Sequence, residues 1–164
     1  MKTAANEIAY PSKLLQSSKN EKRVLVGGCF DVIHYGHLQF LKAAKREGDI
    51  LVVALESDEF IEKRKKRKPI HSQSQRAEML SELGIVDYVV SLPFLTTDDE
   101  YFDMVKKINP SVIAVTEGDL MIEKKQSHAS RLGTTRVVVV TPVVWKMSTS
   151  NILKSEDKSW MKTD

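Results

Sequence analysis

The chain has 164 residues, 41% of them hydrophobic, enough for one domain with a real core. Its single cysteine, Cys29, has no disulfide partner within the chain, and neither a charged-then-apolar leader nor a run of about twenty apolar residues appears, so a soluble cytoplasmic protein away from membranes is expected. A net charge of +3 is too small to indicate a nucleic-acid partner, which needs basic residues concentrated on one surface.

Residues 1–22 are polar and mixed in charge, with Pro11 and Ser17-Ser18 breaking any long pattern, and read as an N-terminal arm with one short helix lying against the domain. From Arg23 short β-branched runs alternate with amphipathic stretches, the pattern of βαβ units around a parallel sheet. Strands are expected at Val24 to Gly28, Ile50 to Leu55, Val86 to Ser91, Val112 to Val115 and Val137 to Val140. The valines of the last run favour a strand because β-branching restricts χ1 in a helix.

Between the first two strands Leu38, Leu41, Ala44 and Lys45 have helical spacing, with Gly48 as the expected C-terminal cap. Gln73 to Leu83 predicts a helix stopping at Gly84, and Asp98 to Ile108 another, begun by a capping aspartate and ended before Asn109-Pro110. Residues 120–134 read as helix or ordered loop. The expected fold is an α/β, Rossmann-like open parallel sheet of five strands with helices on both faces. It is a single domain over residues 23–158, followed by a tail over 159–164.

Charge concentrates in Lys63-Arg64-Lys65-Lys66-Arg67-Lys68, a run of six positive side chains that repel one another unless an anion or water screens them. A solvated face or a targeting tag would explain the run; a phosphate-binding loop is the sharper reading. No aromatic residue interrupts it, which argues against RNA binding.

The most informative segment is Gly27-Gly28-Cys29-Phe30-Asp31-Val32-Ile33-His34-Tyr35-Gly36-His37, where a strand runs into a glycine-bearing turn and two histidines stand at a helix start. Ligands of open parallel sheets bind at the carboxyl ends of strands, and a helix N-terminus offers free N–H groups to phosphate. His34 and His37, one turn apart, share a helix face, and Gly36 allows close backbone approach. Asp31, His34 and His37 also have the ligand types of a two-histidine, one-carboxylate metal site. A dinucleotide fingerprint would need G-x-G-x-x-G, which Gly27-Gly28 does not supply.

His34-Tyr35-Gly36-His37, preceded by Gly28-Cys29-Phe30-Asp31, resembles the H-x-G-H signature of the cytidylyltransferase-like nucleotidyltransferases. Ser148-Thr149-Ser150 resembles the family's Ser-Thr-Ser/Thr at the start of the final helix. Lys146-Met147-Ser148-Thr149-Ser150 is also similar to the K-M-S-K-S loop of class I aminoacyl-tRNA synthetases, for which this chain is too short. The likeness spans roughly Arg23 to Leu153.

The resemblance implies transfer of a nucleoside monophosphate from a nucleoside triphosphate to a phosphorylated small molecule, with pyrophosphate leaving and Mg²⁺ accompanying the triphosphate. It implies catalytic roles for His34, His37, Lys65 and Lys146. It implies nucleotide binding by Cys29, Phe30, Gly36, His34, His37, Gly118, Asp119, Ser148, Thr149 and Ser150, and substrate binding by Asp31, Arg64, Lys65, Lys66 and Arg76. Which basic residue of the run is catalytic stays open, because spacing from Asp58 favours Lys65 or Arg64 and spacing back from His71 and Arg76 favours Lys66. No dedicated protein ligand to metal and no nucleic-acid or membrane partner are expected, and a homodimer is. Gly-Cys-Phe-Asp, and Val143 where glycerol-3-phosphate cytidylyltransferases carry an arginine, favour ATP and a sugar phosphate such as heptose 1-phosphate. CTP with a polyol phosphate is the alternative, and a non-catalytic nucleotide- or nucleic-acid-binding protein a reading of another class.

Overall fold

Short apolar runs rich in valine, isoleucine and leucine form five parallel strands: β1 (Arg23–Gly28), β2 (Ile50–Leu55), β3 (Tyr88–Ser91), β4 (Val112–Thr116) and β5 (Arg136–Thr141). The computed structural model describes residues 7–18 and 20–141. The strands lie in the order β3-β2-β1-β4-β5. β1 pairs with β2 along its whole length, from Arg23↔Ile50 to Gly28↔Leu55. Its pairing with β4 covers only Val24↔Val112 and Leu25↔Ile113. Winding direction reverses between β1 and β4, so the carboxyl ends of these strands frame the crevice where this topology receives ligands.

Among the described residues six helices cover the sheet: α1 (Ser12–Gln16), α2 (Tyr35–Lys45), α3 (Asp58–Lys65), α4 (Gln73–Ser81), α5 (Asp98–Ile108) and α6 (Ile122–Leu132). β2 shows why both faces need cover, since every one of its residues is buried. Leu51, Val53 and Leu55 join Phe40, Leu41 and Ala44 of α2 and Leu80 of α4. Ile50, Val52 and Ala54 face the other way, onto Leu14 of α1 and Met104, Val105 and Ile108 of α5. This is the two-layered burial of a doubly wound α/β sheet. Leu14 makes the N-terminal segment part of that core, and the Arg23 guanidinium ties it down by donating to the Ser17 hydroxyl at 2.8 Å.

Several boundaries differ from expectation for identifiable reasons. β3 begins at Tyr88 instead of Val86 because the Asp87 carboxylate accepts the Leu51 N–H at 2.7 Å, in place of a backbone carbonyl. Helix α2 ends at Lys45 with Arg46 as its cap, so Gly48 is not the capping residue. A Cβ at Gly48 would lie 2.5 Å from the Lys22 carbonyl oxygen, so glycine is required there for close approach. Residues 122–132 are helical, stopped by Gly133 at φ +74°.

The largest departure is α3, which takes in the first half of the basic run, where the charge pattern alone suggests a loop. Ser57 caps this helix by accepting the Phe60 N–H at 3.0 Å. Asp58 and Glu59 occupy its first turn and Lys63, Arg64 and Lys65 its last, complementing the helix dipole at both ends. The helix stops at Lys66 in the left-handed region, φ 57°, and only then does the chain become irregular.

Candidate active site

β1 delivers Gly28, Cys29, Phe30 and Asp31 to the crevice. Phe30 adopts φ 47°, a left-handed conformation uncommon for a bulky residue, and its ring turns back over Gly28. A Cβ at Gly28 would lie 3.0 Å from that ring, so the glycine makes room for the reversal. The Phe30 ring then supports His37, with centroids 5.0 Å apart.

His34 is the N-cap residue of α2 and His37 lies in its first turn. Their imidazoles stack at 3.9 Å with planes inclined by 24°. Burial lowers the His34 pKa. Burial, assisted by repulsion from His34 and opposed by a hydrogen bond with the Val32 backbone, takes His37 down to about 4. Both rings are therefore neutral near pH 7. The Nδ1 atoms of both are buried without a hydrogen-bond partner, a costly state unless a ligand engages the site.

Asp31 is almost fully buried and its carboxylate receives three groups from the loop after α3: the Arg67 guanidinium and the backbone N–H groups of Ile70 and His71. Burial would raise this carboxyl, but the bonds from Arg67, His71 and Ile70 outweigh it and hold the pKa below the ordinary value. Arg76, in the first turn of α4, is completely buried. It donates to the carbonyl oxygens of Cys29 and His71 and to the Asp58 carboxylate at 2.7 Å. Asp31 and Arg76, both expected to touch substrate, are thus engaged with the protein in this structure, joining the β1 turn to α3 and α4.

The remaining cations divide. Lys63 pairs with Glu59 at 2.6 Å and lies 4.8 Å from the Phe94 ring centroid, with Arg64 6.0 Å from the same ring. Lys65, exposed at the helix end, is the cation of this turn whose field reaches Cys29 and Glu56. Lys66 is exposed at the αL cap. Burial raises the Cys29 thiol to about 11, which makes it no nucleophile at neutral pH.

Three residues here were missed from sequence. Glu56 follows β2 directly, and its N–H donates to the Gly28 carbonyl at 3.0 Å, which places it beside the β1 turn. Tyr101 of α5 donates its hydroxyl to Glu56 Oε1 at 3.0 Å, and Lys125 of α6 contributes positive potential. Lys125 also donates to Asp119 at 2.6 Å, beyond the β4 end, where Gly118 takes φ +74°. The available signal was position: Glu56 is an acid at the carboxyl end of a wholly buried strand. Tyr101 and Lys125, on distant helices, carried no such mark.

Lys146, Ser148, Thr149 and Ser150, with Val143 and Trp145, lie outside the described residues. Among the described residues no three of His, Cys, Asp or Glu gather in a way that would hold a metal ion, and no helix is long and apolar enough to cross a membrane.

A stacked histidine pair at a helix N-terminus, beside a basic helix end and a strand-end crevice, is suited to receive a polyphosphate. The model of the family described as cytidylyltransferase-like matches residues 25–157. The chain belongs to that family. It is a nucleotidyltransferase, a family that takes a nucleoside triphosphate and a phosphorylated substrate.

Among relatives in this family, the FAD synthase of Thermococcus kodakarensis is 38% identical over 133 residues, covering 80% of this chain and 87% of that protein. The FAD synthase of Thermococcus sibiricus is 45% identical over 100 residues, 60% of this chain and 65% of that one. The bifunctional protein HldE of Helicobacter hepaticus is 38% identical over 147 residues, 89% of this chain but 29% of the longer relative. A solved structure, the lipopolysaccharide core biosynthesis protein of Thermoplasma volcanium, superposes with a TM-score of 0.61 at 27% identity, covering 76% of this chain and 97% of that one.

Proposed function

We propose that the chain transfers AMP from ATP to a phosphomonoester and releases pyrophosphate. The observation that carries this reading is the stacked His34–His37 pair at the N-terminus of α2, beyond the carboxyl end of β1. An oxygen of the acceptor phosphate attacks the α-phosphorus in line. The new P–O bond forms as the bond to the bridging α–β oxygen breaks, and the electron pair leaves with pyrophosphate. No covalent enzyme intermediate is needed, so positioning and charge stabilisation carry catalysis.

In this reading the negative charge of the triphosphate favours the protonated rings, and His34 and His37, each then carrying two N–H groups, donate hydrogen bonds to the phosphates, with Gly36 and the first N–H groups of α2 beside them. Lys65 is the basic residue assigned to the transferring phosphate, supported by its field at Cys29 and Glu56. Lys146 with Ser148, Thr149 and Ser150 is assigned to the β- and γ-phosphates, and the backbone around Gly118 and Asp119 to the base. Arg64 and Lys66 draw the acceptor's charge. Asp31 and Arg76 act as positioning residues through the Arg67 latch and the Cys29 carbonyl. Mg²⁺ would accompany the triphosphate and offset its negative charge.

Two acceptors follow from the relatives. Heptose 1-phosphate accords with HldE and with the Gly-Cys-Phe-Asp turn. FMN accords with the FAD synthases, one of which matches over 87% of its length. Pyrophosphate release is measured with ATP or CTP against FMN, heptose 1-phosphate and glycerol 3-phosphate. ATP with FMN or heptose 1-phosphate is the expected pair; faster consumption of CTP would move the chain to the cytidylyl branch, and no release with any pair would refute the reading.

A further inference from the structure

Glu56 Oε1 is held by Tyr101, while Oε2 is buried and has no hydrogen-bond partner. A carboxylate oxygen without a donor is costly to bury, and this one lies at the carboxyl end of β2, next to the β1 turn. The neighbours with ionisable groups are Lys65 of α3, Arg76 of α4, Tyr101 of α5, Lys125 of α6 and Cys29. Lys65, Arg76 and Lys125 therefore all exert positive potential on this one acid. A phosphate has no use for a carboxylate, but a hydroxyl does: its O–H supplies the donor that Oε2 lacks. Both acceptors considered above carry a chain or ring of hydroxyls joined to a phosphate.

We propose that Glu56 recognises the acceptor, with Oε2 accepting a hydrogen bond from a hydroxyl of a polyhydroxylated phosphomonoester while the neighbouring lysines face its phosphate. This rests on the acceptor being such a phosphomonoester. Tyr101 fixes the carboxyl so that Oε2 alone is left for the ligand. Selectivity follows, because a phosphomonoester without hydroxyls would leave that oxygen unpaired. Burial, the leading cause, raises the Glu56 pKa to about 7, against the lowering influence of Tyr101, Lys125, Arg76 and Lys65. Acceptor binding should therefore tighten as pH rises through neutrality and the stronger, ionised acceptor forms.

The test is steady-state kinetics of the full chain and its Glu56→Gln and Glu56→Ala variants, with ATP and each of FMN, heptose 1-phosphate and ethyl phosphate, together with ATP binding by calorimetry. The expected result is a rise of about tenfold or more in KM for the polyhydroxylated acceptor that the wild type uses, on the scale of a hydrogen bond to a charged group. ATP affinity should be retained, and use of ethyl phosphate should not fall. Glu56→Gln should also flatten the part of the KM-versus-pH profile near 7 that the acceptor's own phosphate titration does not explain. An unchanged acceptor KM, or equal losses for ethyl phosphate or ATP, would overturn the role of Glu56 while leaving the proposed transfer intact. A wild type that uses none of the acceptors would overturn both.

Discussion

Asp31 and Arg67 form an ion pair across 36 residues of sequence, fastening the loop after α3 to the end of β1. The Asp31 side chain is 1% exposed and that of Arg67 27%, so the carboxylate depends on these partners in place of water. Asp31→Ala should cost about 2–3 kcal/mol, because it leaves the Ile70 and His71 N–H groups unpaired and removes the carboxylate from Arg67. Urea denaturation measures it. The pair's contribution should be complete above the carboxyl's ordinary value of 3.8 and be lost as pH falls through the lower folded value. Equal stability of variant and wild type at pH 7 would contradict the latch.

His34→Ala and His37→Ala should each lower turnover about a hundredfold or more. Circular dichroism should show the fold retained, since both rings sit at the N-terminus of α2 and not in its core-facing row of Phe40, Leu41 and Ala44. Near-normal pyrophosphate release from either variant would remove the pair from the chemistry.

Glu56 and His37 should bend the stability–pH curve in opposite directions. Glu56 is raised from 4.5 to about 7 on folding, chiefly by burial, so its contribution is present below 4.5 and is lost as pH rises to about 7. His37 is lowered from 6.5 to about 4, also chiefly by burial, so its contribution is present above 6.5 and is lost as pH falls toward 4. Relative to wild type, Glu56→Gln should gain stability from pH 5 to 7, and His37→Asn from pH 6.5 down to 4. Denaturation midpoints at half-unit intervals would show the two slopes; slopes of the same sign would refute one of the assignments.

Gly48→Ala should destabilise the protein by about 1–3 kcal/mol, since the new methyl meets the Lys22 carbonyl at 2.5 Å and Val24 Cγ2 at 2.8 Å, both fixed by the sheet. Substrate KM values should be unaffected. Gly84→Ala is the contrast: its Cβ meets nothing within 4 Å, and only the φ of +65° is unfavourable. A thermal melt of each variant distinguishes packing overlap from backbone preference.

The sequence by itself determined the β1 turn, the histidine pair and the sheet, because each is written in a local pattern. Valine-rich runs bury on two faces and make strands wherever helices can cover them, and His34 and His37 stack because one helical turn separates them. The basic run misled because α3 lacks an apolar stripe, having Ile61 as its one buried residue. Its helix is written instead in Ser57, Asp58 and Glu59 at one end and Lys63, Arg64 and Lys65 at the other. Only the tertiary structure decided what the charged residues do. Asp31 and Arg76 find their partners across 36 and 47 residues of sequence, and Glu56 meets Tyr101 across 45. Pairings at such separations depend on which strand ends the sheet brings together, and the burial that shifts the Glu56 and His37 pKa values exists only once helices have closed over both faces.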